Sequence, residues 1–266
     1  MRDPYFDNVK AILIILVVIG HILDLLLIVG YNADELFNFI YLFHMPAFIL
    51  LSGYFAKHVK NPSKAELKYI CIYLIATLVL HPFAHPSLLY MLLIPYYVLW
   101  YLISLSFWYV LMQFFVKLKH SIILSIIIAV LFGYLPIRCE VLSISRTVVY
   151  FPFFLVGYYL KQKHFELLKT KKVLSSISLI IIFISLFFVN FNREWLYNCY
   201  NYAYLGNPEW YAGIYRIGLL FISAISTASF FALVPTKVYL FTKVGKHTLA
   251  IFLLHAFIIT LFSNIY

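Results

Sequence analysis

Charge is what this sequence has least of. Charged residues make up 11% of the 266 residues, where a soluble domain carries about a quarter. Folded in water, such a chain has too few charged side chains to cover its surface, which excludes an ordinary soluble globular domain. Acidic residues are scarcer still, 10 against 20 Lys and Arg. The three cysteines, Cys71, Cys139 and Cys199, form no CxxC and no metal-ligand spacing, so a thiolate metal centre is not indicated and no metal is expected. Cys139 and Cys199 are the pair that would share an outward side, but an odd, scattered set reads as unpaired. Gly/Ser linkers, internal repeats and soluble appendages are missing, so residues 1–266 read as a single domain.

What the chain has instead is apolar sequence: 64% hydrophobic residues and a mean hydropathy of +0.94. The 26 Phe and 23 Tyr suit lipid-facing surfaces and interfacial belts. The net charge of +10 does not form a nucleic-acid patch, because the basic residues sit in short breaks between apolar runs. Lipid is the solvent that this composition requires.

A hydrocarbon core of about 30 Å needs about 20 helical residues per crossing. Apolar runs at roughly 11–30, 36–56, 68–83, 96–116, 121–136, 147–161, 173–190, 211–234 and 247–265 predict an all-α, polytopic membrane bundle of about nine to ten spans. Residues 86–95 hold either a re-entrant turn or part of a tenth helix. The runs lack period-2 alternation, which argues against a β-barrel. Residues 11–30 contain His21 and Asp24 and are followed by no small-residue cleavage site, so they read as a retained first span rather than a signal peptide.

Lysine placement orients the chain. With the N-terminus inside and spans alternating, all the lysines fall on the cytoplasmic side: Lys10, then Lys57, Lys60, Lys64 and Lys68, Lys117 and Lys119, the cluster from Lys161 to Lys172, and Lys237, Lys243 and Lys246. This is the positive-inside pattern. It predicts a multi-pass cell-membrane protein with a cytoplasmic N-terminus.

Ionisable groups inside a span cost about 2.5–3.5 kcal/mol each on insertion scales, so each needs a reason. At 100° per residue, Lys10 and His21 return to within about 20° of each other, and Asp24 follows about 60° on. Asp7 joins this stripe if the helix begins that early; otherwise Asp7 and Asn8 read as helix caps. A mid-span imidazole beside an aspartate is poised to accept a proton near neutrality. His44 lies in Phe43-His44-Met45-Pro46, where it serves either chemistry or the backbone carbonyl that Pro46 frees. Arg216 cannot shed its proton and must meet a carboxylate, with Asp24 a candidate, or a ligand. His255 stands in the last span without a charged sequence neighbour. His81 and His85 read as interfacial, and Arg138, Glu140 and Arg146 as a solvated outer loop, with Arg146 abutting a span.

These residues, together with several longer runs, resemble the acyltransferase 3 superfamily of membrane O-acyltransferases, in the branch similar to fucose 4-O-acetylases. The resemblance runs from Arg2-Asp3-Pro4-Tyr5-Phe6-Asp7-Asn8-Val9-Lys10 through His21, Phe43-His44-Met45-Pro46-Ala47-Phe48 and Leu51-Ser52-Gly53-Tyr54-Phe55. It continues at Trp100-Tyr101-Leu102, Arg146 with Phe151-Pro152-Phe153-Phe154-Leu155-Val156-Gly157, and Gly245-Lys246-His247 through His255. Many members of the superfamily carry arginine where this chain has Lys10; the charge is kept and the bidentate fork is lost.

The resemblance implies transfer of an acyl group, commonly acetyl from acetyl-CoA, onto a hydroxyl of a cell-envelope sugar, with His21 the prime catalytic candidate, Asp24 its orienting partner and His44 a further catalytic candidate. General base catalysis and an acyl-histidine intermediate both fit. Lys10, Lys57, Lys60, Lys64 and Lys68 would offer a basic inner mouth to the CoA phosphates, with Asp7, Arg146 and Arg216 as further binding candidates. Two other readings stand beside this one: a transporter or flippase of a lipid-linked sugar, and an inactive short family member in an envelope-assembly complex.

Overall fold

The structure, a computed structural model, describes residues 3–84, 87–136 and 141–263. Among them it contains α-helices and short 3₁₀ turns and no strand. The longer helices are α1 (Pro4–Ile28), α2 (Asp34–Ala56), α3 (Pro62–Leu80), α5 (Trp100–Phe115), α6 (Ser121–Phe132), α7 (Ile144–Tyr159), α9 (Lys172–Ser185), α11 (Ala212–Leu233) and α12 (Thr248–Ser263), with shorter α4 (Leu88–Leu93), α8 (Gln162–Lys169) and α10 (Glu194–Tyr197) between them. His85, Arg138, Cys139 and Glu140 lie outside the described residues, and with them the pairing of Cys139 and Cys199.

Each predicted apolar run coincides with a helix, so the chain is an all-α, multi-pass membrane protein. Among the described residues, fewer than nine stretches have the length of a full span. Among the described residues, six helical stretches are long and apolar enough to cross a bilayer, or seven if the 3₁₀ segment Leu240–Lys246 and α12, bent by 84°, count as one. The shortfall lies in α6 and α9, of 12 and 14 residues, which reach only about 18 and 21 Å at 1.5 Å per residue. Residues 88–115 belong to one stretch, with α4 as its broken lead-in rather than a separate tenth helix.

The helices show lipid-facing surfaces. Along α9, Val173, Leu174, Ile177, Ile180, Ile181 and Ile184 are all exposed, recurring every three to four residues as one stripe. Along α3 the same holds for Leu67, Leu74, Ile75, Leu78 and Val79. Continuous apolar stripes of this kind mark surfaces that water does not face.

The chain forms two compact units. The first comprises Met1–Ile49, Leu160–Leu196 and Gly218–Phe252. Its inner packing centres on an aromatic chain: Tyr5 meets Phe6 at 5.2 Å, Phe6 meets Phe165 of α8 at 5.4 Å, and Phe165 meets Phe231 of α11 at 5.2 Å. All three pairs are edge-on, the favoured geometry for ring quadrupoles.

The second unit comprises Leu50–Tyr159, Tyr197–Ile217 and Leu253–Tyr266. There α5 packs on α3 and α7, and the Trp108 indole donates to the Thr147 carbonyl at 2.8 Å while the Thr147 hydroxyl donates to Ser104 at 2.8 Å. The short helix α6 ends against Tyr202, whose backbone N–H donates to the Gly133 carbonyl and whose phenol donates to the Val130 carbonyl, both at 2.8 Å. Helix ends leave such carbonyls unsatisfied, and lipid offers them no donor. Burial pushes the Tyr202 phenol up, the Arg216 guanidinium opposing it, so the phenol stays protonated and able to donate.

Candidate functional site

Helix α1 begins at Pro4, with the Asp3 carboxylate accepting the Tyr5 N–H at 2.9 Å. Pro at the first helical position and an acidic cap are a standard start. The cap is therefore Asp3, and Asp7 and Asn8 are not caps but lie inside the first two turns, both buried. This early start places Asp7 on the stripe that runs through Lys10 to His21 and Asp24.

Asn8 has a different task. Its amide donates to the Pro235 and Lys237 carbonyls, each at 2.8 Å, and its carbonyl oxygen accepts the Thr242 hydroxyl at 2.5 Å. Gly245 packs so tightly on the Asp7 backbone carbonyl that a side chain there would collide with it. The Tyr5 phenol donates to the Phe231 carbonyl at 2.7 Å, and the Lys169 ammonium lies 3.6 Å from the centre of its ring. The start of α1 is thus a clasp for residues 235–246. Replacing Asn8 by alanine strands two carbonyls and a hydroxyl, and a loss of about 3 kcal/mol or more is expected; a lowered melting temperature in detergent is the check.

Further along α1, His21 is half-buried, and its Nδ1 lies 3.4 Å from the Tyr41 hydroxyl of α2. Gly20 permits this approach: a Cβ there would sit 3.1 Å from the Tyr41 ring. The rings of His21 and Tyr41 meet edge-on at 6.4 Å, and those of Tyr41 and His44 edge-on at 4.7 Å. Phe37 stacks on Tyr41 at 3.8 Å. The His44 Nδ1 lies 2.8 Å from the Ile40 carbonyl, and the residue is 1% exposed. Two imidazoles from two helices are thus joined through one phenol within the first unit.

His44 bonds Ile40, not Leu42, the carbonyl four residues before Pro46. The expectation that it repairs the backbone freed by Pro46 is therefore not what the structure shows. Asp24, half-buried, follows His21 by one turn of α1.

The remaining candidates belong to the second unit. Arg146 is not a solvated loop residue: it opens α7, donates from Nε to the Tyr197 carbonyl at 3.0 Å and stacks 5.2 Å from the centre of the Trp100 ring. Arg216, at 2% exposure, donates to the Asn198 amide oxygen and lies 5.9 Å from the centre of the Tyr202 ring. Trp100 in turn stacks on Tyr150 at 5.7 Å, so Arg146 stands in an aromatic setting. Lys57 lies over the Tyr54 ring at 3.7 Å and Lys68 over Tyr69 at 5.6 Å, while Lys60 and Lys64 are exposed. His255 is buried in α12.

Sequence reasoning misses Tyr41 and assigns Asn8 to a cap. Tyr41 precedes His44 by three positions, one helical turn, so the spacing was present but the phenol read as one aromatic among many. Asn8 carries no sequence signal for its partners, which lie more than two hundred residues away.

A family model described as the acyltransferase domain of the acyltransferase 3 type matches residues 3–266. Among curated proteins, the chain is similar to the Nodulation protein NolL of Sinorhizobium fredii, at 52% identity over 60 residues, covering 21% of this chain and 16% of that protein. It is likewise similar to the Nodulation protein NolL of Mesorhizobium japonicum, at 52% identity over 56 residues, covering 20% and 15%. These matches span less than a fifth of either relative. No solved structure matches the chain. With the family model covering all but the first two residues of this helical membrane chain, the chain belongs to the acyltransferase 3 family of membrane acyltransferases.

Proposed function

We propose that this protein transfers an acetyl group from cytoplasmic acetyl-CoA to a hydroxyl of a cell-envelope sugar or glycan. The observation that carries the reading is the pair of histidines, His21 and His44, joined through Tyr41 inside apolar helices of an acyltransferase-family chain. Titratable groups at that depth are costly and are retained for chemistry or pairing. A sugar hydroxyl is a poor nucleophile until a base takes its proton during attack on the thioester, and imidazole is the side chain suited to that near neutral pH.

In this reading residues 1–266 act as one domain in the cell membrane with the N-terminus cytoplasmic. Lys10 is a proposed contact for the donor's phosphates, and within the second unit Lys57, Lys64 and Lys68 are proposed anion-binding residues. Asp7 supports Lys10 one turn away on α1, Asp24 adds its charge to the same stripe one turn beyond His21, and in the second unit Arg146 and Arg216 are proposed binding residues. Among the described residues no group of three or more His, Cys, Asp or Glu is placed to hold a metal ion.

The test uses oriented membrane vesicles and envelope glycans. Inside-out vesicles bearing the protein should release free CoA from acetyl-CoA, and glycans from expressing cells should carry an increment of roughly 42 daltons per acetylated hydroxyl. Movement of a lipid-linked sugar across the vesicle with no consumption of acetyl-CoA would overturn the reading in favour of a transporter. A chain that does neither would be an inactive partner.

A further inference from the structure

The two histidines do not offer the same nitrogen. A carbonyl oxygen can only accept, so the His44 Nδ1 that lies 2.8 Å from the Ile40 carbonyl carries the hydrogen. In a neutral imidazole one nitrogen donates and the other accepts; His44 Nε2 therefore keeps its lone pair. His21 presents the opposite case. Its Nδ1 faces the Tyr41 hydroxyl at 3.4 Å. A buried phenol is a better donor than acceptor, so this contact favours the tautomer of His21 that accepts at Nδ1 and carries its hydrogen on Nε2.

Resting on the acyl-transfer reading above, we propose that His44 Nε2 is the proton acceptor of the reaction, that His21 Nε2–H is the donor that stabilises the thioester oxygen, and that Tyr41 is a positioning residue holding His21 in that tautomer. The step balances as follows. The acceptor hydroxyl loses its proton to His44 Nε2 as its oxygen bonds to the acetyl carbon. Negative charge gathers on the former carbonyl oxygen, against His21 Nε2–H. The carbon–sulfur bond then breaks, and the His44 proton passes to the departing thiolate, leaving an acetyl ester, free CoA and both rings neutral. A neutral imidazole that donates rather than accepts is a known way to stabilise an oxyanion without proton transfer. The gain from dividing the roles is that neither ring must change tautomer between turnovers.

Side-chain amides separate the two roles. Asparagine at position 44 retains an N–H near the place of Nδ1 for Ile40 but offers no basic nitrogen, whereas glutamine at position 21 retains an N–H near the place of Nε2. Purified wild type in nanodiscs is compared with His44→Asn, His21→Gln, His21→Ala and Tyr41→Phe for acetyl transfer. His44→Asn should lose about 10²-fold or more in kcat with the KM for acetyl-CoA little changed. His21→Gln should retain about tenfold more activity than His21→Ala. Tyr41→Phe should lower kcat without raising KM. Nitrogen-15 spectra of histidine-labelled wild type should show His44 protonated at Nδ1 and His21 at Nε2, and this measurement stands even where a variant fails to accumulate. Full activity in His44→Asn, no advantage of His21→Gln over His21→Ala, or the reverse tautomers would overturn the assignment while wild-type turnover upheld acyl transfer. Absence of wild-type turnover would instead defeat the acyl-transfer reading itself.

Discussion

Alanine at His21 is expected to lower acetyl transfer by about 10²–10⁴-fold, the range spanned by loss of an acid–base or oxyanion-stabilising group, while the protein stays in the membrane. The two halves of that expectation have separate grounds. Transfer falls because the imidazole is the polar group α1 brings to the Tyr41 hydroxyl, and no other ring on α1 can take its place. Insertion survives because alanine is the best helix former and removing a half-buried polar ring from an apolar span makes the span easier to insert. The comparison is Ile22→Ala, one position on. Ile22 is 48% exposed, so that change touches a lipid-facing surface and should leave turnover near the wild-type rate. CoA release from acetyl-CoA, normalised to protein recovered from membranes, measures both. Unchanged turnover in His21→Ala would remove this ring from the mechanism.

Much of this architecture is legible in the chain because lipid simplifies the code. A run of apolar residues long enough to cross a bilayer can hardly be anything but a helix, and the predicted runs each met one. The stripe from Asp7 through Lys10 to His21 and Asp24 was readable for the same reason, since helical geometry alone fixes which residues share a face. What depends on one element meeting another was not readable. The short reach of α6 and its termination by Tyr202 require knowing that residues 197–211 fold back against it. Arg146 stands at an apolar boundary in sequence, as a solvated arginine would, and only the Tyr197 carbonyl and Trp100 ring show it anchored. The hydrogen on Nδ1 of His44 is decided by a backbone carbonyl one turn earlier, which no residue type announces.

The same distinction between local and tertiary information sets the largest expected effect on folding. Gly53, near the end of α2, and Gly157, near the end of α7, occur in the short runs Ser52-Gly53-Tyr54 and Val156-Gly157-Tyr158, and neither needs a glycine conformation, since both lie within helices of ordinary geometry. Their role is space. A Cβ on Gly53 would fall on the Phe154 carbonyl, and one on Gly157 would fall on the Leu50 carbonyl. The contact is reciprocal, each glycine admitting the backbone of the other helix, the arrangement by which membrane helices gain close packing without a hydrophobic drive. Backbone cannot swing aside as a flexible side chain does, so the helices must part. Parting them loosens Phe154, itself wedged against Trp108 at 5.7 Å and Phe151 at 6.4 Å. Gly157→Leu is therefore expected to cost about 3 kcal/mol or more and to deplete the protein from membranes, and Gly53→Ala to act in the same direction. Gly218 in α11 supplies the opposite case, with nothing within 4 Å of its Cβ position. Alanine there should leave stability unchanged or raise it by up to about 1 kcal/mol, the ordinary difference in helix propensity. Membrane yield and melting temperature in detergent compare the three variants directly. Equal behaviour of Gly157→Leu and Gly218→Ala would mean that α2 and α7 do not cross at these glycines.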